Sequence, residues 1–346
     1  MKAIIFGGAG FIGVNFAKRI LEEGGEVIVA DDLSRVGSRM NLKWLRDKGN
    51  VRFIQVDIRH ASQVKEIIHV HRDADAVFHF AAQVAVTLSI ENPRKDFEVN
   101  ALGTLNILEA IREEKINPAL IYSSTNKVYG GMEKVKVVEE EKRYILPDYP
   151  QGISEDFPLD FHSPYGCSKG CADQYVRDYA RIYGLNTVVL RQSCIYGPRQ
   201  FGIEDQGWVA HFLICGLMKK PITIYGTGKQ VRDLLYIDDL IDLGLKCVEN
   251  IGKVKGEIFN VGGGKENTLS LLELLDIMEE KGVKPEVKFS QARPGDQKVF
   301  IADIRKAKKL LGWKPTISVE VGIEKLLHWL EGNFAEIEFA FSERGS

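Results

Sequence analysis

Tyr165 and Lys169 stand four residues apart at the start of a helical pattern, Tyr165-Gly166-Cys167-Ser168-Lys169. That spacing sets a phenol and an ammonium on one helix face. A phenol near pKa 10 is a poor base at neutral pH. Bringing it to about 7 takes about 4 kcal/mol of preferential stabilisation of the phenolate. Lys169 is one source of that stabilisation, and the positive ring of an oxidised nicotinamide is another. Upstream, an apolar run ends in Tyr122-Ser123-Ser124-Thr125. Thr125 would hydrogen-bond a substrate hydroxyl while Tyr165 removes its proton, with Ser124 as a second donor. A Tyr–Lys pair at this spacing also arises on helix surfaces by chance, so the reading depends on its surroundings.

The surroundings include a glycine-rich turn, Gly7-Gly8-Ala9-Gly10-Phe11-Ile12-Gly13, which closes the first apolar run and opens a helical pattern. Glycines at 7, 10 and 13 suit a chain that turns sharply, admits a pyrophosphate against its backbone and packs helix on strand. The amides at the helix start, around Phe11 and Ile12, then face the anion. Asp31 ends the second apolar run eighteen positions after Gly13, where an acid can accept both hydroxyls of an adenosine ribose. Its alternative is a turn or helix cap. An acid at 31 repels a 2′-phosphate, which favours NAD over NADP, although Arg35 and Arg39 keep that question open. Asp57 and Ile58 follow the third run, Ala81 and Ala82 the fourth, and Ser123 ends the fifth. All would touch a ligand lying across the ends of parallel strands; ordinary turn chemistry is the alternative.

These groups need a scaffold, and the apolar runs supply one. Ala3 to Phe6, Val27 to Ala30, Val51 to Val56, Ala76 to Phe80, Leu120 to Tyr122 and Thr187 to Leu190 alternate with longer helical patterns. Strands apolar on both faces need helices on both sides, so the fold class is α/β with a doubly wound parallel sheet. Beyond Leu190 the rhythm breaks. Ile222-Thr223-Ile224-Tyr225, the turn Gly226-Thr227-Gly228 and Gln230-Val231-Arg232 predict a hairpin, with helices starting at Asp238 and Ser270. This predicts a smaller, interleaved second α/β domain. Residues 131–162 carry a charged run, Glu139 to Arg143, and several prolines, and are too polar for core; such insertions are commonly functional loops.

Composition narrows the function further. Lys plus Arg total 46 against 48 for Asp plus Glu, a net charge of −2 that offers nothing to a nucleic-acid backbone or an anionic membrane. The chain enters a buried-strand pattern at Ala3, without a leader or spanning segment, so a cytoplasmic protein is expected. Five scattered cysteines make no disulfide framework. Cys167 and Cys171 share a helix face, but no second Cys/His pair accompanies them, and no metal site is expected. His79, inside an apolar strand, reads as a satisfied core residue.

Taken together, Gly7 to Gly13, Asp31, Ser123 to Thr125 and Tyr165/Lys169 resemble the extended short-chain dehydrogenases/reductases that act on nucleotide sugars. Within that group the sequence is similar to the CDP-tyvelose (CDP-paratose) 2-epimerases. The stretches that carry this are Asp32-Leu33-Ser34-Arg35, Ser123-Ser124-Thr125-Asn126-Lys127-Val128-Tyr129-Gly130, Asp160-Phe161-His162-Ser163-Pro164-Tyr165-Gly166-Cys167-Ser168-Lys169-Gly170 and Gly228-Lys229-Gln230-Val231-Arg232-Asp233. The resemblance implies a Rossmann-type NAD domain over 1–193 and about 234–261, and a nucleotide-sugar domain over about 194–233 and 262–346. It implies epimerisation at C2, by oxidation to a 2-keto sugar and return of hydride from the other face. By motif, Asp32, Ser34, Arg35 and Asn100 join the cofactor site. Thr125 and Asn126 would face the sugar, Arg232 and Arg293 would bind the pyrophosphate, and Asp296 would touch the nucleotide's ribose. Trp208 either stacks on the base or belongs to the core. Relatives pair through helices starting near Pro93 and Tyr165, so a homodimer or a dimer of dimers is implied. Asp32 departs from the asparagine of many relatives and discourages NADP further.

Several rivals share this scaffold. Dehydratases need an acid and a base beside the strand-ending Thr, where this chain has Asn126 and Lys127. A 4-epimerase would use the same Thr-Tyr-Lys group on a different hydroxyl, and spacing does not separate the two. A reductase would release its cofactor at each turnover. A non-catalytic NAD-binding protein would typically lack the Tyr or the Lys.

Overall fold

The computed structural model describes residues 1–293 and 296–342. Seven strands form its central sheet: β1 (Lys2–Phe6), β2 (Glu26–Asp31), β3 (Val51–Gln55), β4 (Ala76–His79), β5 (Ala119–Thr125), β6 (Thr187–Gln192) and β7 (Ile258–Val261). Their order is β7-β6-β5-β4-β1-β2-β3, and every pairing is parallel. Alternation along the strands feeds two cores. Ala3, Ile5, Val27, Val29, Phe78, Ile121 and Leu190 enter one, while Ile4, Phe6, Ile28, Val77, Leu120 and Val189 enter the other. Each fully buried Val, Ile or Phe contributes about 1.5–3 kcal/mol relative to exposure. Helices Phe11–Glu22, Ser38–Arg46 and Ile237–Glu249 cover the first face, and Ala61–Val70, Gly103–Glu113 and Ser163–Tyr183 the second. This is the doubly wound Rossmann arrangement expected from the apolar runs.

After β6 the chain builds smaller sheets and further helices, and residues from both reach the first core: Leu213, Ile222, Ile224, Leu234 and Leu330 join Phe16 and Phe78 there. The expected hairpin does not form. Ile222–Tyr225 pairs in parallel with Val287–Ser290. Val231–Tyr236 instead centres a separate sheet, parallel to Cys194–Tyr196 and Val299–Phe300 and antiparallel to Thr268–Ser270. The cause is tertiary. Buried Ile222 and Ile224 hold their strand in the core, and Gly226 N–H donates to Ser290 O at 2.9 Å. Left-handed glycines at 226 (φ +83°) and 228 (φ +77°) then swing the chain to another sheet.

The 131–162 stretch also corrects its expectation. Tyr144, Leu146 and Ile153 are buried with Val231, Val299 and Phe300 in a third apolar cluster, and the charged run only caps a two-stranded ladder, Val138–Glu139 against Tyr144–Ile145. Among the described residues no helix is long and apolar enough to cross a membrane.

Candidate active site

A cleft of about 720 Å³ runs across the carboxyl ends of the parallel strands, between the large sheet and the segment 192–209. Its floor begins at the end of β1. Gly7 has φ +81°, and a Cβ there would lie 2.5 Å from the Ala81 nitrogen at the end of β4. A Cβ on Gly13 would lie 2.2 Å from Gly7 O. These two contacts explain why strand, turn and helix close tightly here while Gly10, Phe11 and Ile12 line the open cleft.

Asp31 is buried beneath the turn. Its Oδ2 accepts the Ala9 amide at 3.0 Å and its Oδ1 the Leu33 amide at 2.8 Å. Burial pushes its carboxyl up, and the amides pull it back. Asp31 is therefore a turn cap as well as a cleft residue, and its two oxygens keep acceptor capacity for a pair of hydroxyls. Asp32 Oδ1 accepts the Ser34 amide at 2.9 Å and its hydroxyl at 2.7 Å, and Arg35 hydrogen-bonds Gln206 on the opposite wall. Asp57, Ile58, Ala81, Ala82 and Ser123 line the same wall. Asp57 is clasped by Arg59 at 2.6 Å, which holds its carboxyl below the usual range.

One residue of the expected cofactor set stands elsewhere. Asn100 does not line the cleft; it is 1% exposed in a π-helical turn, Glu98–Leu102. Its amide accepts from Gln83 N at 2.9 Å and donates to Gln83 O at 3.0 Å. It thus positions Gln83, which does line the cleft. The wider turn aims the side chain at the strand-end loop.

Tyr165, Thr125, Ser124 and Lys169 meet at the middle of the cleft. Burial pushes the Tyr165 phenol up to about 12, and a hydrogen bond with Thr125 pulls it back. Lys169 is pushed down to about 7 by burial; its Nζ donates to Ser123 O at 2.5 Å and lies 4.4 Å from the centre of the Tyr122 ring. The protein alone therefore keeps the phenol neutral and the amine easily deprotonated, with the amine turned to Ser123 O and the Tyr122 ring. Ser124 does not present its proton to the cleft as expected, because Oγ donates to buried Asp173 at 2.7 Å. Asp173 is in turn clasped by Arg191 at 2.9 Å from two nitrogens. The buried ion pair claims the Ser124 proton, so Ser124 is left as an acceptor on its cleft side.

Of the remaining residues expected at the substrate, Asn126, Arg232, Arg293 and Asp296 do not line the cleft; Asn126 accepts from Thr125 Oγ1 at 3.4 Å, and the other three form ion pairs outside it. Asn126 donates to Gln297 at 3.1 Å. Arg232 binds Asp296 at 2.9 Å, and Arg293 lies 3.2 Å from Asp205 and 3.9 Å from the centre of the Tyr225 ring. Trp208 lines the cleft and donates to Cys194 Sγ at 3.3 Å. Gln83, Arg199 and Gln206 line the cleft with no signal in the sequence, because each arrives from an irregular segment, whereas Gln192 ends β6, two residues beyond the apolar run. Arg59 had one, since it follows Asp57 by two positions in an Asx turn.

The chain matches the GDP-mannose 4,6 dehydratase family model over residues 4–326. It belongs to that family. These are extended short-chain dehydrogenases/reductases of the nucleotide-sugar epimerase and dehydratase group. The chain is 48% identical to a CDP-paratose 2-epimerase of Salmonella typhi over 95% of this chain and 99% of that one. It resembles a UDP-glucose 4-epimerase of Thermotoga maritima solved with UDP-glucose, at TM-score 0.82 and 32% identity over 96% of this chain and 100% of that one. A Thermus thermophilus UDP-glucose 4-epimerase solved with NAD matches at TM-score 0.80 and 32% identity over 96% and 99%. NAD is the cofactor of the family, and the glycine cradle, the acceptor pair on Asp31 and the cleft volume of about 720 Å³ fit it here.

Proposed function

We propose that this protein is an isomerase that epimerises a nucleotide sugar at C2, interconverting CDP-paratose and CDP-tyvelose. The observation that carries the C2 assignment is the 48% identity to a CDP-paratose 2-epimerase over nearly the full length of both chains, against 32% to the 4-epimerases. The absence of a carboxylate at Asn126 and Lys127 argues against elimination of water, for which an acid and a base beside Thr125 are required.

In this reading Gly7, Gly10, Phe11, Ile12 and Gly13 receive the pyrophosphate of NAD, and Asp31 its adenosine ribose. Asp32, Ser34, Arg35, Asp57, Ile58, Ala81, Ala82 and Ser123 form the adjoining walls. Bound in that cradle, NAD would supply hydride transfer to and from C2 and a positive ring that favours the Tyr165 phenolate. Thr125 orients the C2 hydroxyl, and Tyr165 takes its proton on oxidation and restores it on reduction. Lys169, held by Ser123 O one helical turn from Tyr165, would supply positive charge that favours the phenolate. Inversion requires the 2-keto sugar to turn its other face, so the pocket must hold the nucleotide while freeing the sugar. Arg232, Arg293, Asp296 and Asn126 do the holding, with Trp208 stacked on the base. A homodimer through the helices at Pro93–Phe97 and Ser163–Tyr183 belongs to the same reading; Phe97, Tyr175 and Tyr183 stay exposed on them.

Protein as purified, without added NAD, is incubated with CDP-paratose in deuterated water and followed by proton NMR beside a Tyr165→Phe control. The expected result is the 2-epimer without deuterium at C2, and none from the control. Inversion of UDP-glucose at C4 with CDP-paratose untouched would replace this reading by a 4-epimerase.

A further inference from the structure

Lys127 follows Thr125 by two positions, and its amide donates to Thr125 Oγ1 at 3.2 Å. Its side chain is therefore rooted beside the hydroxyl that orients the reacting group. The Nζ lies 3.5 Å from Asp296 Oδ1, the same oxygen that Arg232 contacts at 2.9 Å. Two cations share one carboxylate, with side chains only 23% and 11% exposed. Burial pushes the Lys127 ammonium down and Arg232 pushes it further, whereas Asp296 resists. Burial raises the Asp296 carboxyl, but Arg232 and Lys127 more than offset it. Arg293 is in the opposite situation, one cation facing Glu204 at 3.6 Å and Asp205 at 3.2 Å. Charge balance thus leaves the Lys127–Arg232 pair short of negative charge and the Arg293 cluster with an excess. A phosphate group belongs at the first.

We propose that Lys127, with Arg232, holds the phosphate borne on C1 of the sugar, and that this contact fixes C2 in front of Tyr165. The proposal rests on the C2 reading and deepens it. C2 is bonded to C1, whereas C4 lies across the ring. An anchor rooted next to Thr125 keeps the C1 phosphate close to the hydroxyl that Thr125 and Tyr165 handle, which admits C2 and leaves C4 out of reach. A carboxylate at position 127 would repel the same phosphate.

The test uses full-length wild type, Lys127→Met and Lys127→Arg, each checked for NAD binding and an unchanged melting temperature. Calorimetry with CDP and CMP separates the second phosphate from the nucleoside. Lys127→Met should weaken CDP about 30- to 100-fold and CMP less than about threefold, and Lys127→Arg should restore CDP to within about fivefold. With CDP-paratose, Lys127→Met should raise the ratio of 4-epimer to 2-epimer about tenfold or more. Equal weakening of CDP and CMP, or of neither, overturns the phosphate contact. Weaker CDP with an unchanged product ratio overturns the regiochemical role. If wild type leaves CDP-paratose untouched, the C2 reading fails while the CDP and CMP comparison still judges the anchor. A wild type that binds neither CDP nor UDP overturns it too.

Discussion

In the proposed reading the site has two halves, one for cofactor and one for substrate, and they are stabilised differently. On the cofactor side, backbone meets backbone: Gly7 against Ala81, Gly13 against Gly7, and Asp31 on two amides. On the substrate side, charges meet each other: Arg232 and Lys127 on Asp296, Arg293 on Asp205 and Glu204. The first half is preorganised, with amides and acceptors that cannot relax away from a ligand. The second is neutralised within itself, so an anion that bound there would have to exchange ion pairs. In the proposed reading, the interactions exchanged with a substrate are the ion pairs, whose net energy is small.

The largest expected effect falls between the halves. Tyr165→Phe should lower kcat about 10²- to 10⁴-fold and leave NAD binding within about twofold, read by single-turnover kinetics and calorimetry. A change in NAD affinity as large as the change in kcat would show that the phenol belongs to the cofactor side. Asp31→Ala should next weaken NAD about 10- to 100-fold and lower the melting temperature, since it removes a ribose acceptor and orphans the Ala9 and Leu33 amides. If NAD binding survives while the melting temperature falls, Asp31 is only a cap. Arg232→Met should raise the substrate KM about tenfold with a smaller change in kcat. Salt should act in the same direction: between about 0.05 and 0.5 M it should raise that KM severalfold and move NAD affinity much less. Equal salt sensitivity would abolish the contrast.

The smallest effect is on stability. Lys169 is held near 7 in the folded, NAD-free protein, below its unfolded value. The folded state therefore disfavours its charged form, a penalty complete below pH 7 and relieved as pH rises toward 10.5. Lys169→Met should raise the melting temperature by a few degrees at pH 6, with a gain that shrinks above pH 7, while turnover is lost. A gain independent of pH would assign it to packing instead.

How much of this could be read from the residues differs in the same way. Gly7 to Gly13, Asp31 and the Tyr165/Lys169 pair are legible because each motif is local: one turn, one strand end, one helix face. Their geometry follows from a few consecutive dihedral angles, wherever the rest of the chain goes. The apolar runs likewise specify the parallel sheet, since strands buried on both faces have no other way to be covered. Asn100 illustrates the limit. It was expected against the cofactor, but a π turn gives it to Gln83. Ser124 illustrates another, since its proton is claimed by Asp173, 49 residues away in sequence.

By itself, then, the sequence determined the class of fold, the tight glycine turn that opens the first helix and the shared helix face of Tyr165 and Lys169. Only the tertiary structure decided that Ile222–Tyr225 would pair with Val287–Ser290 rather than with its neighbour, and that 131–162 would bury Tyr144, Leu146 and Ile153. It also brought Lys127, Arg232 and Asp296 onto one shared carboxylate. The physical reason is range. Backbone conformation and helix or strand periodicity are set within a few residues, whereas burial, strand partnership and charge balance depend on groups that meet only when the core closes.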